Sequence, residues 1–249
     1  MRGLVAILRR EFASRIDSAS ALVVTLVFAV VAQGLFFLLG HPVGSLQLPS
    51  FWEGRTASLQ VVFAWLPLLF VGFVPALTMA AWADERAAGT EELLLAWPVS
   101  GAKAVVAKFL GVWLFLGLAL LITVVPLALV VASLGDLDWN VVWCGLFGAF
   151  LLGGACAAIG LFLSALFREQ LAAYLASVLV LGLLWVGGLL VPSLPPEWAE
   201  FVYYASPYAH FFDSAARGIL DARDLVYHGT LMTAGLTANT LLVEGRRWK

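Results

Sequence analysis

Apolar runs of bilayer length recur along this chain, near residues 20–39, 60–82, 104–132, 141–166 and 170–192, with a more polar sixth near 227–243. A helix needs about 20 predominantly apolar residues to cross the hydrocarbon core. Backbone groups there must bond within their own segment, so helices or closed barrels are the only spanning structures. The expectation is an all-α integral membrane protein of six transmembrane helices, with residues 1–249 forming a single transmembrane domain. Composition agrees: 62% of residues are hydrophobic and 12% are charged, against roughly 25% charged in soluble domains. The charged segment before the first run is longer than the basic region of a secretory signal, so this run reads as a retained span.

Residues 1–19 carry Arg2, Arg9, Arg10, Glu11, Arg15 and Asp17, while Leu4, Leu8, Phe12 and Ile16 recur every fourth position. That spacing puts the apolar side chains on one helical face. It predicts an amphipathic helix lying in the interface with its basic face toward lipid headgroups, or a simple extension of the first span. Basic residues then set the orientation. Arg2, Arg9, Arg10, Arg15, Arg86, Lys103, Lys108, Arg168, Arg246, Arg247 and Lys249 fall on one side, and Arg55, Arg217 and Arg223 on the other. Both termini are expected in the cytoplasm.

Within the spans, Pro67, Pro75 and Pro126 are expected to kink helices, which membrane bundles tolerate. Gly145, Ala149, Gly153 and Ala157 form a small-residue stripe that permits close helix contact, within one subunit or between two. The sixth run holds Thr230, Thr233, Thr237, Asn239 and Thr240, and is expected to face other helices rather than lipid. Cys144 and Cys156 lie on one predicted helix about 18 Å apart, beyond disulfide reach, and read as packing residues. His41, His210 and His228 are expected at membrane edges or loops, as interfacial or surface side chains.

The densest charge cluster is Asp84-Glu85-Arg86-Ala87-Ala88-Gly89-Thr90-Glu91-Glu92, followed by Leu93-Leu94-Leu95-Ala96-Trp97-Pro98. Gly89 can end one helix in a left-handed conformation. Thr90 can cap the next, with Glu91 and Glu92 in its first turn, where the helix dipole favours anions. Pro98 stops it. The stretch reads either as a short surface helix that docks a soluble partner or as a plain connector between spans.

The segment 193–226 opens with Ser193-Leu194-Pro195-Pro196 and carries Trp198, Phe201, Tyr203, Tyr204, Tyr208, Phe211 and Phe212. Aromatics of this kind belong at a membrane interface, so a short helix dipping partway into the outer leaflet is expected. Arg217, Asp221, Arg223 and Asp224 have helical spacing that permits ion pairs, as a solvated helix face or as a closure holding an external gate.

Other chemistry is excluded. There is no G-x-x-x-x-G-K-[ST], no H-E-x-x-H and no G-x-S-x-G, and no Cys/His spacing that suits a metal. The hydrocarbon parts of the spans are expected to be free of Asp, Glu, Lys and Arg, with Lys108 counted among the cytoplasmic basic residues. Proton relays and intramembrane proteases depend on such groups, so a proton-driven transporter and an aspartyl protease are disfavoured. The net charge of −2 singles out no partner, and nucleic acid is not expected as one. An energy source outside the chain is expected instead.

Two motif blocks then point to a family. Pro75-Ala76-Leu77-Thr78-Met79, Asp84-Glu85-Arg86, Gly89-Thr90-Glu91-Glu92-Leu93-Leu94-Leu95 and Trp97-Pro98-Val99-Ser100 form the first. Ser206-Pro207-Tyr208-Ala209-His210-Phe211 leading to Arg217-Gly218-Ile219-Leu220-Asp221-Ala222-Arg223-Asp224 forms the second. Between them stand Lys108-Phe109-Leu110 and Gly160-Leu161-Phe162-Leu163-Ser164 with Gln170. The chain resembles the type-2 ABC exporter permeases, in the branch of the gliding-motility and nitrous-oxide-reductase accessory permeases.

That resemblance implies a transmembrane permease subunit in the bacterial inner membrane, multi-pass, which couples ATP hydrolysis by a separate ATPase to export or mechanical work. The alternative is a membrane anchor or scaffold that passes ATPase motion to an extracytoplasmic partner without moving a substrate. The fold implied is six spans, an N-terminal interfacial helix, a cytoplasmic coupling helix and an external re-entrant segment. The coupling residues would be Glu85, Arg86, Gly89, Thr90, Glu91, Glu92, Leu93, Leu94 and Pro98, with Arg86 alternatively fixing this helix to the N-terminal one. The external gate would comprise Pro207, His210, Arg217, Gly218, Asp221 and Asp224. Implied partners are an ABC ATPase dimer, a second permease copy or paralogue, the bilayer, and in this branch a membrane subunit with a large extracytoplasmic domain. The chain would be no enzyme and would bind no cofactor or metal itself, ATP and Mg being held by the ATPase.

Overall fold

A computed structural model describes residues 2–40, 48–54, 56–89 and 100–247. Thr90, Glu91, Glu92, Leu93, Leu94, Pro98 and His41 lie outside the described residues. The regular elements, in order, are α1 (Arg2–Ile16), α2 (Ala19–Leu38), α3 (Phe51–Gly54), α4 (Gln60–Thr78), α5 (Ala80–Ala87), α6 (Gly101–Leu134), α7 (Trp139–Leu166), α8 (Gln170–Leu190), α9 (Pro196–Ala205), α10 (Pro207–Asp213) and α11 (Ala222–Arg247). Short 3-10 turns cover Val191–Ser193 and Ala215–Arg217. There is no β-strand among the described residues.

Five helical stretches are long and apolar enough to cross a membrane: Ala19–Leu38, Gln60–Ala87, Gly101–Leu134, Trp139–Leu166 and Gln170–Ser193. They match the first five sequence runs. The sixth run is helical too, as α11, but its threonines, Asn239 and His228 keep it out of that set.

The hub is α7, which packs against α4, α6, α8 and α11. Its small-residue stripe explains why. A side chain at Gly145 would sit 2.5 Å from the Phe63 ring, and one at Gly153 would sit 2.6 Å from Leu116. Ala149 and Ala157 are fully buried. The stripe is therefore spent on contacts within the chain, where removing Cβ atoms lets α4 and α6 approach closely. Cys156 is also buried there, its Sγ 3.5 Å from the Tyr208 hydroxyl. Outward faces are apolar instead: Leu22, Leu26 and Val30 on α2, and Leu171, Leu179 and Leu183 on α8 are exposed. Faces of this kind suit a hydrocarbon environment rather than water.

α1 lies along α6. Leu4, Leu8 and Phe12 are half-buried, as their spacing predicts, but Ile16 is exposed and Glu11 joins the packed face. At the other end of the bundle, α10 is tucked between α7, α8 and α9, with Tyr208, Phe211 and Phe212 buried. His210 and His228 are buried as well, which corrects the expectation of surface histidines. Each has a partner that outweighs exposure to water: Asp224 Oδ1 lies 3.1 Å from His210 Nδ1, and the Asp224 carbonyl lies 2.8 Å from His228 Nδ1.

Candidate functional site

The described part of the charged stretch begins where the second span is broken. Pro75 has no N–H to give the preceding turn, and the ladder is interrupted at Met79 between α4 and α5. Ser164, fully buried on α7, fills the break. Its hydroxyl donates to the Met79 carbonyl at 2.8 Å and accepts from the amides of Trp82 at 3.2 Å and Ala83 at 3.4 Å. A side chain inserted into the helical ladder is a recognised cause of kinking. One turn earlier, Gly160 lies against Thr78 with no room for a Cβ. The Gly160–Ser164 motif thus fits the Thr78–Met79 break.

α5 then carries Asp84, Glu85 and Arg86 to its end. Ala88 donates to the Asp84 carbonyl at 2.9 Å, and Gly89 closes the helix with φ +68°. This is the left-handed conformation that its position in the sequence predicts, open to glycine at no steric cost. Asp84 accepts a hydrogen bond from Gln170 at the start of α8. Arg86 donates to the carbonyls of Ala165 at 3.0 Å and Phe167 at 3.1 Å. Arg246 of α11 also reaches the Ala165 carbonyl. Two guanidiniums therefore meet the C-terminal end of α7, where unsatisfied carbonyls and the helix dipole favour cations. Arg86 thus ties α5 to the end of the fourth span.

Glu85 makes the link to α1 instead, through Lys108. Lys108 is only 2% exposed. Its Nζ donates to Glu85 at 2.8 Å, to the Ala81 carbonyl at 2.8 Å and to Glu11 at 3.2 Å, and lies 4.9 Å from the Trp82 ring centroid. All three ammonium hydrogens have acceptors, which a buried charge requires. Glu11 is bonded further by Arg15 at 3.1 Å. Burial works to raise the Glu11 carboxyl, but the charges of Lys108 and Arg15 outweigh it and hold it below its ordinary value. Gly111, one turn after Lys108, makes the approach possible: a Cβ there would lie 2.9 Å from the Glu11 Cβ.

Lys108 stands near the start of the run 104–132. The 34 residues of α6 make a helix about 50 Å long, well beyond a hydrocarbon core of about 30 Å. Its first turns can therefore stand outside the hydrocarbon. Beside this joint, Glu11, Ser14, Arg15, Ser20, Asp84 and Gln170 line part of an open cleft of about 390 Å³ between α1, α2, α5 and α8.

The second expected group lies at the far end of the bundle. Pro207 opens α10, and His210 stacks on Tyr227 at 4.0 Å between ring centroids. Arg217 ends a 3-10 turn, and Gly218 follows with φ +81° against Val141. Asp221 caps α11, accepting from the Arg223 amide at 2.9 Å. Arg217 and Asp221 therefore do not share a helix, because the left-handed residue and the cap separate them. Between α10 and α11, His210 meets Asp224. Lys108, Glu11, Ser164 and His228 are site residues that sequence reasoning passed over. The weak signals were Gly111 one turn from a lone span lysine, and Ser164 within a motif whose role was unassigned.

An all-helical bundle with five membrane-length apolar helices, and a polar joint at one end, defines a multi-pass membrane protein. The family model described as ABC-2 family transporter protein matches residues 41–232. The chain belongs to this family, and is thus the membrane-embedded permease subunit of an ABC transporter, a class that works with an ABC ATPase. None of the curated proteins compared matches it.

Proposed function

We propose that this chain is the permease of an ABC exporter in the bacterial inner membrane, of the gliding-motility and nitrous-oxide-reductase accessory branch. Both termini face the cytoplasm, α11 is the sixth span, and α1 lies in the interface. A separate ATPase dimer binds ATP and Mg. The chain itself has no catalytic role and no cofactor, and two copies or a copy and a paralogue form the translocating unit.

The observation that carries the reading is the junction at Asp84–Gly89. A partner that moves the stretch after Gly89 pulls directly on α5. From there Glu85 and Lys108 lead to α6 and Glu11, Arg86 leads to the end of α7, and Asp84 leads to Gln170 on α8. One docking point thus addresses three spans and the interfacial helix. Coupling requires that the docked stretch bind the ATPase states with different affinity. Thr90, Glu91, Glu92, Leu93, Leu94 and Pro98 supply the docking surface: acidic side chains for basic ATPase residues, leucines for an apolar cleft. The segment around Pro207, His210, Arg217, Gly218, Asp221 and Asp224 forms the outer closure.

The test replaces Glu91 and Glu92 with Gln and Leu94 with Ala, then measures co-purification of the ATPase and permease-stimulated ATP hydrolysis. Loss of both is expected; wild-type values for both would sink the docking assignment. Vesicle transport by the purified complex separates export from mechanical work on an extracytoplasmic partner.

A further inference from the structure

An open apolar groove of about 500 Å³ runs between α6 and α7, with Phe12 of α1 among its walls. Gly117 and the Phe150 ring meet in it: a Cβ at Gly117 would lie 2.8 Å from Phe150 Cε2. Trp113 holds that ring in place. It stacks on Phe150 at 4.4 Å between centroids, 8° from parallel, and its Nε1 donates to the Phe150 carbonyl at 2.8 Å. Leu114, Leu118 and Leu121 on α6, and Trp143 and Phe147 on α7, are exposed and form the two rims. The hollow exists because a glycine faces a fixed flat ring between two rows of large side chains.

Depth and charge select what fills it. From Gly111, where α1 is seated on α6, to Leu121 is about 15 Å along the helix, half of a hydrocarbon core of about 30 Å. The groove therefore lies in the leaflet that α1 borders. An unfilled hollow there forfeits dispersion contacts, and lipid hydrocarbon is the medium at hand to supply them. At the α1 end, Arg9 and Arg10 are exposed within one turn of Phe12. Glu11 beside them is spent on Lys108 and Arg15. Two exposed guanidiniums at the end of an apolar groove complement a phosphate carrying net negative charge.

We propose that this groove holds one acyl chain of an anionic phospholipid, the tail between the α6 and α7 rims and the phosphate at Arg9 and Arg10. The site rests on the proposed placing of α1 in the interface. One lipid is thereby fixed, by head and tail, to three helices.

The experiment reconstitutes the purified full-length chain into nanodiscs of phosphatidylethanolamine and phosphatidylglycerol. Trace phosphatidylglycerol carries a diazirine in its acyl chain or on its headgroup, and cross-linked peptides are mapped by mass spectrometry. The acyl probe should label 114–121 and 143–150 about fivefold more than the exposed surface of α6 around Leu129 and Val130. The same probe on phosphatidylethanolamine should label the groove about fivefold less. Leu118→Trp, which fills the groove from an exposed rim, and the double change Arg9→Gln, Arg10→Gln should each cut groove labelling about fivefold with unchanged thermal stability. Even labelling along α6 means exchanging bulk lipid only and overturns the site, as does labelling that both variants leave intact. Equal labelling by phosphatidylethanolamine overturns the assignment of an anionic lipid. Cross-links from the rims to a second copy of the chain overturn a lipid occupant. A headgroup probe that labels α1 while groove labelling fails places the fault in the groove alone; one that misses α1 overturns the interfacial placing as well.

Discussion

Lys108 Nζ lies 2.8 Å from Glu85 Oε1 and 3.2 Å from Glu11 Oε1, so one buried ammonium bridges acidic residues from two other helices. Neither acid is near it in sequence.

Removing only the lysine leaves two carboxylates in a largely buried site. Breaking a buried ion pair from one side costs about 3–5 kcal/mol. Lys108→Met should therefore lower the thermal unfolding midpoint sharply in detergent. The triple change Lys108→Met, Glu11→Gln and Glu85→Gln should recover much of the loss, since it removes both carboxylates that the lysine had neutralised.

The same joint predicts acid sensitivity. The Glu11 carboxyl is held below its ordinary value of 4.5 in the folded state. A depressed folded value means its stabilising contribution is present above pH 4.5 and fades as pH falls through the lower folded value. Unfolding midpoints measured from pH 6 downward should drop in that acid window. Glu11→Gln should be less stable at pH 6 and show a shallower drop.

Ser164→Ala removes the hydroxyl shared by Met79, Trp82 and Ala83. Leaving buried backbone groups unsatisfied costs about 1–3 kcal/mol. The unfolding midpoint should fall accordingly, and Ser164→Val should be at least as damaging. No change in either variant would mean the break at Met79 is closed some other way.

Gly111→Val introduces side-chain atoms where α1 packs tightly on α6. Overpacking of this sort costs about 1–3 kcal/mol, and the cheapest relief is for α1 to lift away. Limited trypsin digestion should then cut faster at Arg9 and Arg10. An unchanged cleavage rate would count against a seated N-terminal helix.

The first five spans were legible because each is a nearly unbroken apolar run of membrane length. Gly89 was legible because only glycine takes φ +68° without strain, and it falls at the end of a charged turn. α11 was legible as a helix, while its threonines blurred its membrane character. Lys108 was not legible as a buried charge. A lysine near a helix end ordinarily extends to water, and nothing local announces that Glu11, 97 positions away, will meet it. His210 was misread for the same reason: its partner Asp224 and the rings around it come from other elements. Arg217 and Asp221 have helical spacing, but the chain turns at Gly218 before a helix can use it.

The seating of Ser164 against Met79 means that the second and fourth spans share a pivot. α5 is held at that point by a side chain of α7, and Arg86 fastens the same two helices a turn further on. A push on α5 is therefore geared to the fourth span, the element around which the bundle packs. Under the proposed coupling, a displacement at the charged end would reach the centre of the bundle through these two ties.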